Sequence, residues 1–299
     1  MNFYDSIVRW AVPVFVMISG SLFLNPDKAI PFKKIYTKYI FRILSALIFW
    51  SLLYALKDYY STGNVKIFLR SFILSHYHLW FLYMVISLYM ITPFLRELAK
   101  SKFLVKYFLA LALIFAFVLP ESINIIRAFI STTYADYADK FVNKFFMNFV
   151  TGYAGYFMLG YVLSKAEIKH EGIIYLAGIA GFALTIILTR NASELSGQPV
   201  GDFYKNISVN VLCESVAVFV FFKKYLDRES KFIMMLSRYS FGAYLVHAAM
   251  LQILRKFGIH SLAFNPALSI PIISLTTFVM SYCVSAVINN IPVLKKYIV

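Results

Sequence analysis

Residues 172–189 read GIIYLAGIAGFALTIILT, and no charged side chain interrupts them between Glu171 and Arg190. A hydrocarbon core of ~30 Å is crossed by ~20 mostly apolar residues of helix. Inside lipid, each backbone N–H and C=O must be paired within its own segment, so this stretch predicts a transmembrane helix. Eight further stretches have the same character, at about 8–24, 38–56, 79–95, 103–119, 145–164, 206–222, 239–256 and 268–290. We therefore expect an all-α, polytopic transmembrane helical bundle of about nine spans, with residues 1–299 forming a single membrane domain.

The composition supports membrane embedding independently of the span count. Hydrophobic residues make up 61% of the chain and charged residues 14%, whereas a soluble domain carries about 25% charged residues. The net charge is +15, but the basic residues lie in short loops and form no basic face interleaved with aromatics. We therefore expect the lipid bilayer as a partner, and no nucleic acid.

The basic residues also predict an orientation. If the loop after the first span is cytoplasmic, eighteen of the 29 Lys and Arg residues lie on that side and eleven on the other. The positive-inside rule then places the N-terminus outside and the C-terminus inside. The chain is expected in the inner or plasma membrane as a multi-pass protein.

Three connecting segments are expected on the outer face. They are 57–78, 120–144 and 190–205, and within the first of them residues 64–74 predict an amphipathic, interfacial helix with Lys66 and Arg70 at i,i+4 spacing. Outer segments of this size could receive a large substrate, although ordinary connecting loops explain them equally well.

One polar cluster is predicted at the outer end of the third span. His78, Trp80 and Tyr83 lie within two turns of each other there. A histidine beside aromatic side chains at a membrane interface could bind a sugar or orient a hydroxyl. The alternative is the aromatic belt, which enriches Trp and Tyr at both interfaces of any membrane protein.

A second cluster is predicted on the span at 239–256. Tyr244 and His247 are three residues apart, and Ser240 falls on the same stripe. A histidine this far into an apolar helix is expected to face protein or a cavity, because ionisable groups are costly in lipid. It could relay a proton or bind a substrate, or it could be a neutral histidine satisfied by Tyr244 or a neighbouring helix.

Charged residues inside the predicted spans give further candidates. Arg42 lies near Lys34 and Lys38, and guanidinium groups suit phosphate oxygens, so a phosphorylated cytosolic ligand such as coenzyme A is one interpretation. Positive-inside anchoring explains the lysines equally well. Glu214 lies near the middle of its span and should be protonated or paired. No spacing of metal ligands is present, and Cys213 and Cys283 predict no disulfide framework.

Three motifs resemble one known family. Residues 12–24, VPVFVMISGSLFL, residues 78–95, HLWFLYMVISLYMITPFL, and residues 236–247, LSRYSFGAYLVH, are similar in order and spacing to segments of the acyltransferase family 3 membrane proteins. Within that family, the resemblance is to the surface-polysaccharide O-acyltransferases, and it extends over the whole chain.

The resemblance implies a reaction and a set of candidate residues. It implies transfer of an acyl group, usually acetyl from acetyl-CoA, to a hydroxyl of a cell-surface glycan or lipid-linked sugar, with no tightly bound cofactor. The resemblance places Arg42 on the CoA side, and His78, Trp80, Tyr244 and His247 match positions of its motifs. Together with the residues chosen from spacing and charge, the candidates are Arg42, Lys34 and Lys38 for the donor, and Trp80, Tyr83, Tyr244 and Glu214 for substrate binding.

The catalytic base is left unknown by the resemblance. In the family, a helix before the V-P-x-F segment carries an Arg and, eleven residues later, a His that is the general base. Eleven residues precede Val12 here, so we expect that helix to be missing. His78 and His247 are the remaining candidates for the general base, although their spacing in the sequence does not assign this role to either of them.

The leading hypothesis is a membrane-bound O-acyltransferase acting on surface glycans. The alternatives are a translocator or export component for polysaccharide or lipid-linked sugar, and an inactive, truncated homologue. Transporters often show internal repeats with broken helices in matching positions, and this sequence shows no such pairing.

Overall fold

The computed structural model describes residues 2–26, 30–147, 150, 152–226 and 229–298, and every regular element in these ranges is helical. The all-α prediction is confirmed for this part of the chain. The α-helices, numbered in chain order, are α1 Asn2–Ser6, α2 Ala11–Phe23, α3 Phe32–Lys34, α4 Phe41–Thr62, α5 Val65–Leu74, α6 Trp80–Ala99, α7 Lys102–Ala112, α8 Leu119–Phe129, α9 Thr132–Asn143, α10 Ala154–Lys165, α11 Glu171–Ser196, α12 Val209–Tyr225, α13 Lys231–Lys256, α14 Pro266–Asn289 and α15 Pro292–Tyr297. Stretches of π-helix join α3 to α4 and α7 to α8, at Ile35–Ile40 and Leu113–Val118.

Seven helical runs are long and apolar enough to cross a bilayer, which confirms a polytopic membrane protein. They are Asn2–Phe23, Phe32–Thr62, Val65–Ala99, Lys102–Phe129, Glu171–Ser196, Asp202–Tyr225 and Pro266–Asn289.

Two of the nine predicted spans are not among these seven. Residues 148, 149 and 151 of the predicted span 145–164 lie outside the described residues, and α10, which covers its later part, has 12 residues. The predicted span 239–256 lies in α13, which has 26 residues and is long enough. Polar side chains such as His247 and Gln252 lower its mean hydropathy below that of the seven.

The helices group into two compact units, each built from two separate parts of the chain. Unit 1 contains residues 1–30 and 91–227, and unit 2 contains residues 31–90 and 228–299. No Pro/Gly/Ser-rich linker in the sequence marks any of the three crossings between the units, after residues 30, 90 and 227. The prediction of one membrane domain over residues 1–299 stays a prediction.

Unit 1 is held together by helix pairs that meet at glycines. A Cβ on Gly20 of α2 would overlap the carbonyl oxygen of Phe157, and a Cβ on Gly160 of α10 would overlap the carbonyl oxygen of Met17. Small residues allow transmembrane helices to approach backbone to backbone, where van der Waals packing replaces the missing hydrophobic effect. The glycine of the V-P-x-F-x-x-x-S-G motif therefore has a packing role.

Unit 2 contains a packed core and a polar helix pair. Its core is formed by buried residues of α4, the Tyr77–Leu79 turn, α6 and α13, namely Ala46, Leu47, Trp50, Tyr54, Leu79, Leu82, Leu245, Val246 and Ala248. Helix α14 packs on α13, and the face that it buries repeats every four residues, at Ser269, Ile273, Thr277, Ser281 and Ser285. Four of these five side chains carry a hydroxyl group inside the unit.

The predicted outer loops are largely helical, which corrects their description as loops. Residues 64–74 form α5, as predicted for an amphipathic helix, and the Asn64 side chain caps it by accepting from the Lys66 N–H at 2.9 Å. Helices α8 and α9 occupy most of 120–144, and α11 extends to Ser196. Short capping signals such as Ser131 before α9 are easily overlooked beside the strong apolar pattern.

Candidate functional site

Three histidines and two tyrosines meet inside unit 2. His76 and His78 come from the turn that precedes α6, Tyr54 from α4, and Tyr244 and His247 from α13. The ring centres of His78 and His247 are 4.9 Å apart, and Tyr54 lies 4.3 Å from His76 and 5.3 Å from His78. His78 is 5% exposed and Tyr54 is 4% exposed. We call these five residues the histidine–tyrosine cluster.

A chain of hydrogen bonds fixes the tautomers of two of these histidines. His78 Nε2 lies 3.4 Å from the Leu245 carbonyl oxygen, and because a carbonyl only accepts, this nitrogen carries the proton. In a neutral ring, His78 Nδ1 then accepts from His76 Nδ1 at 2.8 Å. His76 Nε2 in turn accepts from the Gln252 amide at 3.0 Å. One side chain thus sets the orientation and protonation of the next.

The tautomer of His247 follows from the same reasoning. Its Nδ1 donates to the backbone carbonyl of Tyr244, one turn earlier on α13. In the neutral ring, Nε2 is then the nitrogen with the free lone pair. A lone pair of this kind is what a general base or a hydrogen-bond acceptor needs.

A cavity of about 430 Å³ opens beside this histidine. It lies between α13 and α14, and His247, Tyr244 and Ser240 line it from α13. The stripe of Ser240, Tyr244 and His247 that the sequence predicts on α13 therefore lines this cavity in unit 2. The Tyr244 hydroxyl donates to the His78 carbonyl, which ties this stripe to the turn before α6.

The predicted residues Trp80 and Tyr83 lie at the start of α6 and are less enclosed. Trp80 is 43% exposed and Tyr83 is 44% exposed. The Tyr83 hydroxyl is 2.8 Å from the Ser75 hydroxyl, and Ser75 in turn is 2.6 Å from that of Ser51. Tyr83 thus joins the end of α5 to α6, and both rings stay candidates for substrate binding.

The predicted donor-side residues lie along the continuous helical run that begins with α3. Lys34, Lys38 and Arg42 are all exposed and are spaced four residues apart. The Arg42 guanidinium lies over the Phe241 ring, 5.9 Å from its centre. Arg42 is about three turns from the start of this run, because the helix begins at Phe32. The three cations lie toward the end of the span that the sequence predicts to be cytoplasmic, and this orientation stays a prediction.

The structure places Glu214 in unit 1, whereas the histidine–tyrosine cluster belongs to unit 2. Glu214 is 4% exposed, and its Oε1 accepts from the Thr185 hydroxyl at 2.8 Å. The Asn210 amide donates to the same hydroxyl oxygen at 2.5 Å. The described contact is a hydrogen bond from a neutral hydroxyl, so the protonation of this carboxyl and its role in substrate binding stay predictions.

The site residues Tyr54, His76 and Gln252 are not among those predicted from the sequence. Tyr54 is one of 22 tyrosines, and no local pattern distinguishes it. His76 stands two residues before His78, so the H-Y-H triplet was a usable signal. Within the described residues, no group of three His, Cys, Asp or Glu side chains is placed to hold a metal ion.

These features define a multi-pass helical membrane protein with a partly buried histidine–tyrosine cluster beside a cavity. A family model described as an acyltransferase domain matches residues 1–288. The chain therefore belongs to acyltransferase family 3, and it is an acyltransferase that acts on some acceptor. No curated protein and no solved structure matches the chain.

Proposed function

We propose that this protein transfers an acetyl group from acetyl-CoA to a hydroxyl of a cell-surface polysaccharide or its lipid-linked precursor, in the inner or plasma membrane. The family membership supports acyl transfer. The observation that carries the proposal is that His247 lines a cavity and has its Nδ1 engaged by a backbone carbonyl, so that Nε2 of the neutral ring keeps its lone pair. An acceptor hydroxyl needs such a nitrogen to become a nucleophile.

In the proposed reaction, the acceptor hydroxyl oxygen attacks the thioester carbonyl carbon, and His247 Nε2 takes the hydroxyl proton. The C–S bond then breaks, the acetyl group stays on the acceptor oxygen as an ester, and CoA leaves as a thiolate. The imidazolium returns its proton to the thiolate, so the products are the acetylated acceptor and free CoA. The enzyme ends in its starting protonation state.

His78 has a positioning role in this proposal. Its ring contacts that of His247, and the hydrogen bonds to Leu245 and His76 hold it in one orientation. A fixed neighbour restricts the imidazole of His247 to the rotamer that faces the cavity. Positioning of this kind lowers the entropy that must be lost on reaching the transition state.

Lys34, Lys38 and Arg42 form the proposed phosphate-binding surface for CoA. Arg42 and Tyr54 lie on the same helix twelve residues apart, about 18 Å at 1.5 Å per residue. The extended pantetheine arm of CoA is the part of the donor that would bridge this distance. Arginine is the better phosphate ligand of the two residue types because its planar guanidinium binds oxygens in pairs.

The catalytic part is tested with the full chain in lipid nanodiscs, supplied with labelled acetyl-CoA and oligosaccharides released from cell-surface polysaccharide. His247→Gln should lower the rate of acetyl transfer by about 10²–10⁴-fold. His170→Gln changes an exposed histidine of unit 1 and serves as the matched control. A wild-type chain that consumes no acetyl-CoA with any acceptor would contradict the proposal and favour a translocator or an inactive homologue.

The donor side is tested with a second set of variants in the same assay. Replacing Lys34, Lys38 and Arg42 by Gln should raise the KM for acetyl-CoA and make it less dependent on salt, because screened charge pairs have been removed. Lys66→Gln and Arg70→Gln, on the exposed helix α5, are the matched controls. If the control variants raised the KM for acetyl-CoA as much as the Lys34, Lys38 and Arg42 variants, these three residues would not be the donor-binding site.

A further inference from the structure

The cavity beside His247 has a second wall that the proposed reaction does not use. Helix α14 contributes Ser274, Thr277, Phe278, Ser281 and Tyr282 to the lining. The Phe278 and Tyr282 rings are 4.4 Å apart between centres. The wall therefore combines hydroxyl groups with aromatic faces.

Two of these hydroxyls are buried and have no hydrogen-bond partner among the described residues. They are the Oγ1 of Thr277 and the Oγ of Ser281, and the two side chains are 6% and 1% exposed. Other hydroxyls of α14 are satisfied: Thr276 donates to Ile272 at 2.8 Å, and Ser285 donates to Tyr239 at 2.8 Å. Leaving a buried polar group unpaired costs about 1–3 kcal/mol, so the two orphan hydroxyls indicate a missing partner.

The lining also restricts the chemistry of that partner. No Lys, Arg, Asp or Glu lines the cavity as described, so a phosphate group would find no counter-charge there. An acyl chain would leave both hydroxyls unpaired. A neutral molecule that carries several hydroxyl groups and an apolar face satisfies both kinds of surface. A pyranose ring is such a molecule.

We propose that this cavity is the acceptor subsite, in which Thr277 and Ser281 hydrogen-bond hydroxyls of a pyranose unit held beside His247. The assignment to the acceptor rests on the proposed function. Thr277 and Ser281 then determine which hydroxyl of the sugar faces His247, because hydrogen bonds from two adjacent turns of one helix fix the ring in one orientation. A site built to pair a hydroxyl discriminates strongly against an analogue that lacks it.

Stability measurements separate this role from a structural one. Thr277→Val and Ser281→Ala remove hydroxyls that pair with nothing in the free protein, so the unfolding midpoint of the ligand-free protein should be unchanged or higher. Ser285→Ala removes a bonded hydroxyl and should lower it. A fall for Thr277→Val as large as that for Ser285→Ala would show that the hydroxyl serves the fold, which overturns the proposal.

Binding is measured with a photoreactive N-acetylhexosamine glycoside carrying a diazirine, on the full chain in nanodiscs. Cross-links should map to α13 and α14 and be displaced by methyl pyranosides, not by 1-octanol. Thr277→Val and Ser281→Ala should each reduce labelling about 3- to 10-fold, the effect of one neutral hydrogen bond, whereas Thr276→Val should leave it unchanged. Displacement by octanol alone would make the cavity a lipid site and overturn the proposal.

The kinetic readout distinguishes this inference from the proposed function. The same two variants should raise the KM for the oligosaccharide acceptor about 3- to 10-fold and leave the KM for acetyl-CoA unchanged. Acetyl transfer with an unaltered acceptor KM would refute the subsite and preserve the acetyltransferase. Specific labelling without acetyl transfer by the wild type would support a sugar site and refute the acetyltransferase.

Discussion

Replacing Gly160 by Ala should separate α10 from α2. The new Cβ would overlap the backbone carbonyl of Met17, which cannot rotate away as the end of a flexible side chain can. Overpacking of a closely packed interface costs about 1–3 kcal/mol. The better helix propensity of Ala contributes about 1 kcal/mol in the opposite direction. The sum predicts a net loss of about 0–2 kcal/mol of unfolding free energy for this variant.

A matched substitution isolates the steric contribution. Gly172 is also helical, at the start of α11, and a Cβ there would meet nothing within 4 Å. Gly172→Ala should therefore gain the propensity without the overlap, so the two variants should differ by about 1–3 kcal/mol. The assay is reversible unfolding in mixed micelles, followed by circular dichroism. Equal unfolding free energies for the two variants would refute the argument from backbone contact.

Two further predictions concern buried hydrogen bonds. Tyr54→Phe removes a hydroxyl that donates to a backbone carbonyl of α13 at 3.0 Å, so it should lower the unfolding free energy by about 1 kcal/mol. Tyr60→Phe, at a residue 84% exposed, should change nothing in the same unfolding assay. Thr185→Val leaves Glu214 without its hydroxyl donor and should lower the unfolding free energy by about 1–3 kcal/mol. Thr276→Val is its control, and an equal loss in both would show that the buried carboxyl does not depend on Thr185.

The apolar periodicity was sufficient to predict the class of fold and most of the spans. It also predicted the helix at α13, although the polar side chains of α13 leave it outside the seven runs that are long and apolar enough to cross a bilayer. It missed α8 and α9, which occupy most of the predicted outer segment 120–144, whereas α5 in the segment 57–78 was predicted. Helix α9 is amphipathic and short, so its signal is the capping residue Ser131 and not a long apolar run. Helix α8 continues the apolar run that begins at Lys102, and its polar residues hide that continuation in the sequence.

The candidate site was predictable only in part. His78, Tyr244 and His247 stand out because histidine and tyrosine are conspicuous among aliphatic neighbours. Thr277 and Ser281 do not, since hydroxyl residues are common in membrane helices and usually bond the backbone of the preceding turn. Their lack of a partner is a property of the packed helices and is not visible in the sequence.

The amino-acid sequence alone is enough to identify a helical membrane protein, because long continuous apolar runs can pair their backbone groups within themselves only as helices. It also carried the motifs of an acyltransferase. Which polar residues come into contact depends on the three-dimensional packing of the helices. His76 and His247 are 171 positions apart in the chain, and Glu214, an equally plausible candidate, belongs to a different unit. Helix packing determines these neighbours. It depends on close backbone contacts, such as that of Gly160 with Met17, which cannot be recognised from either residue alone.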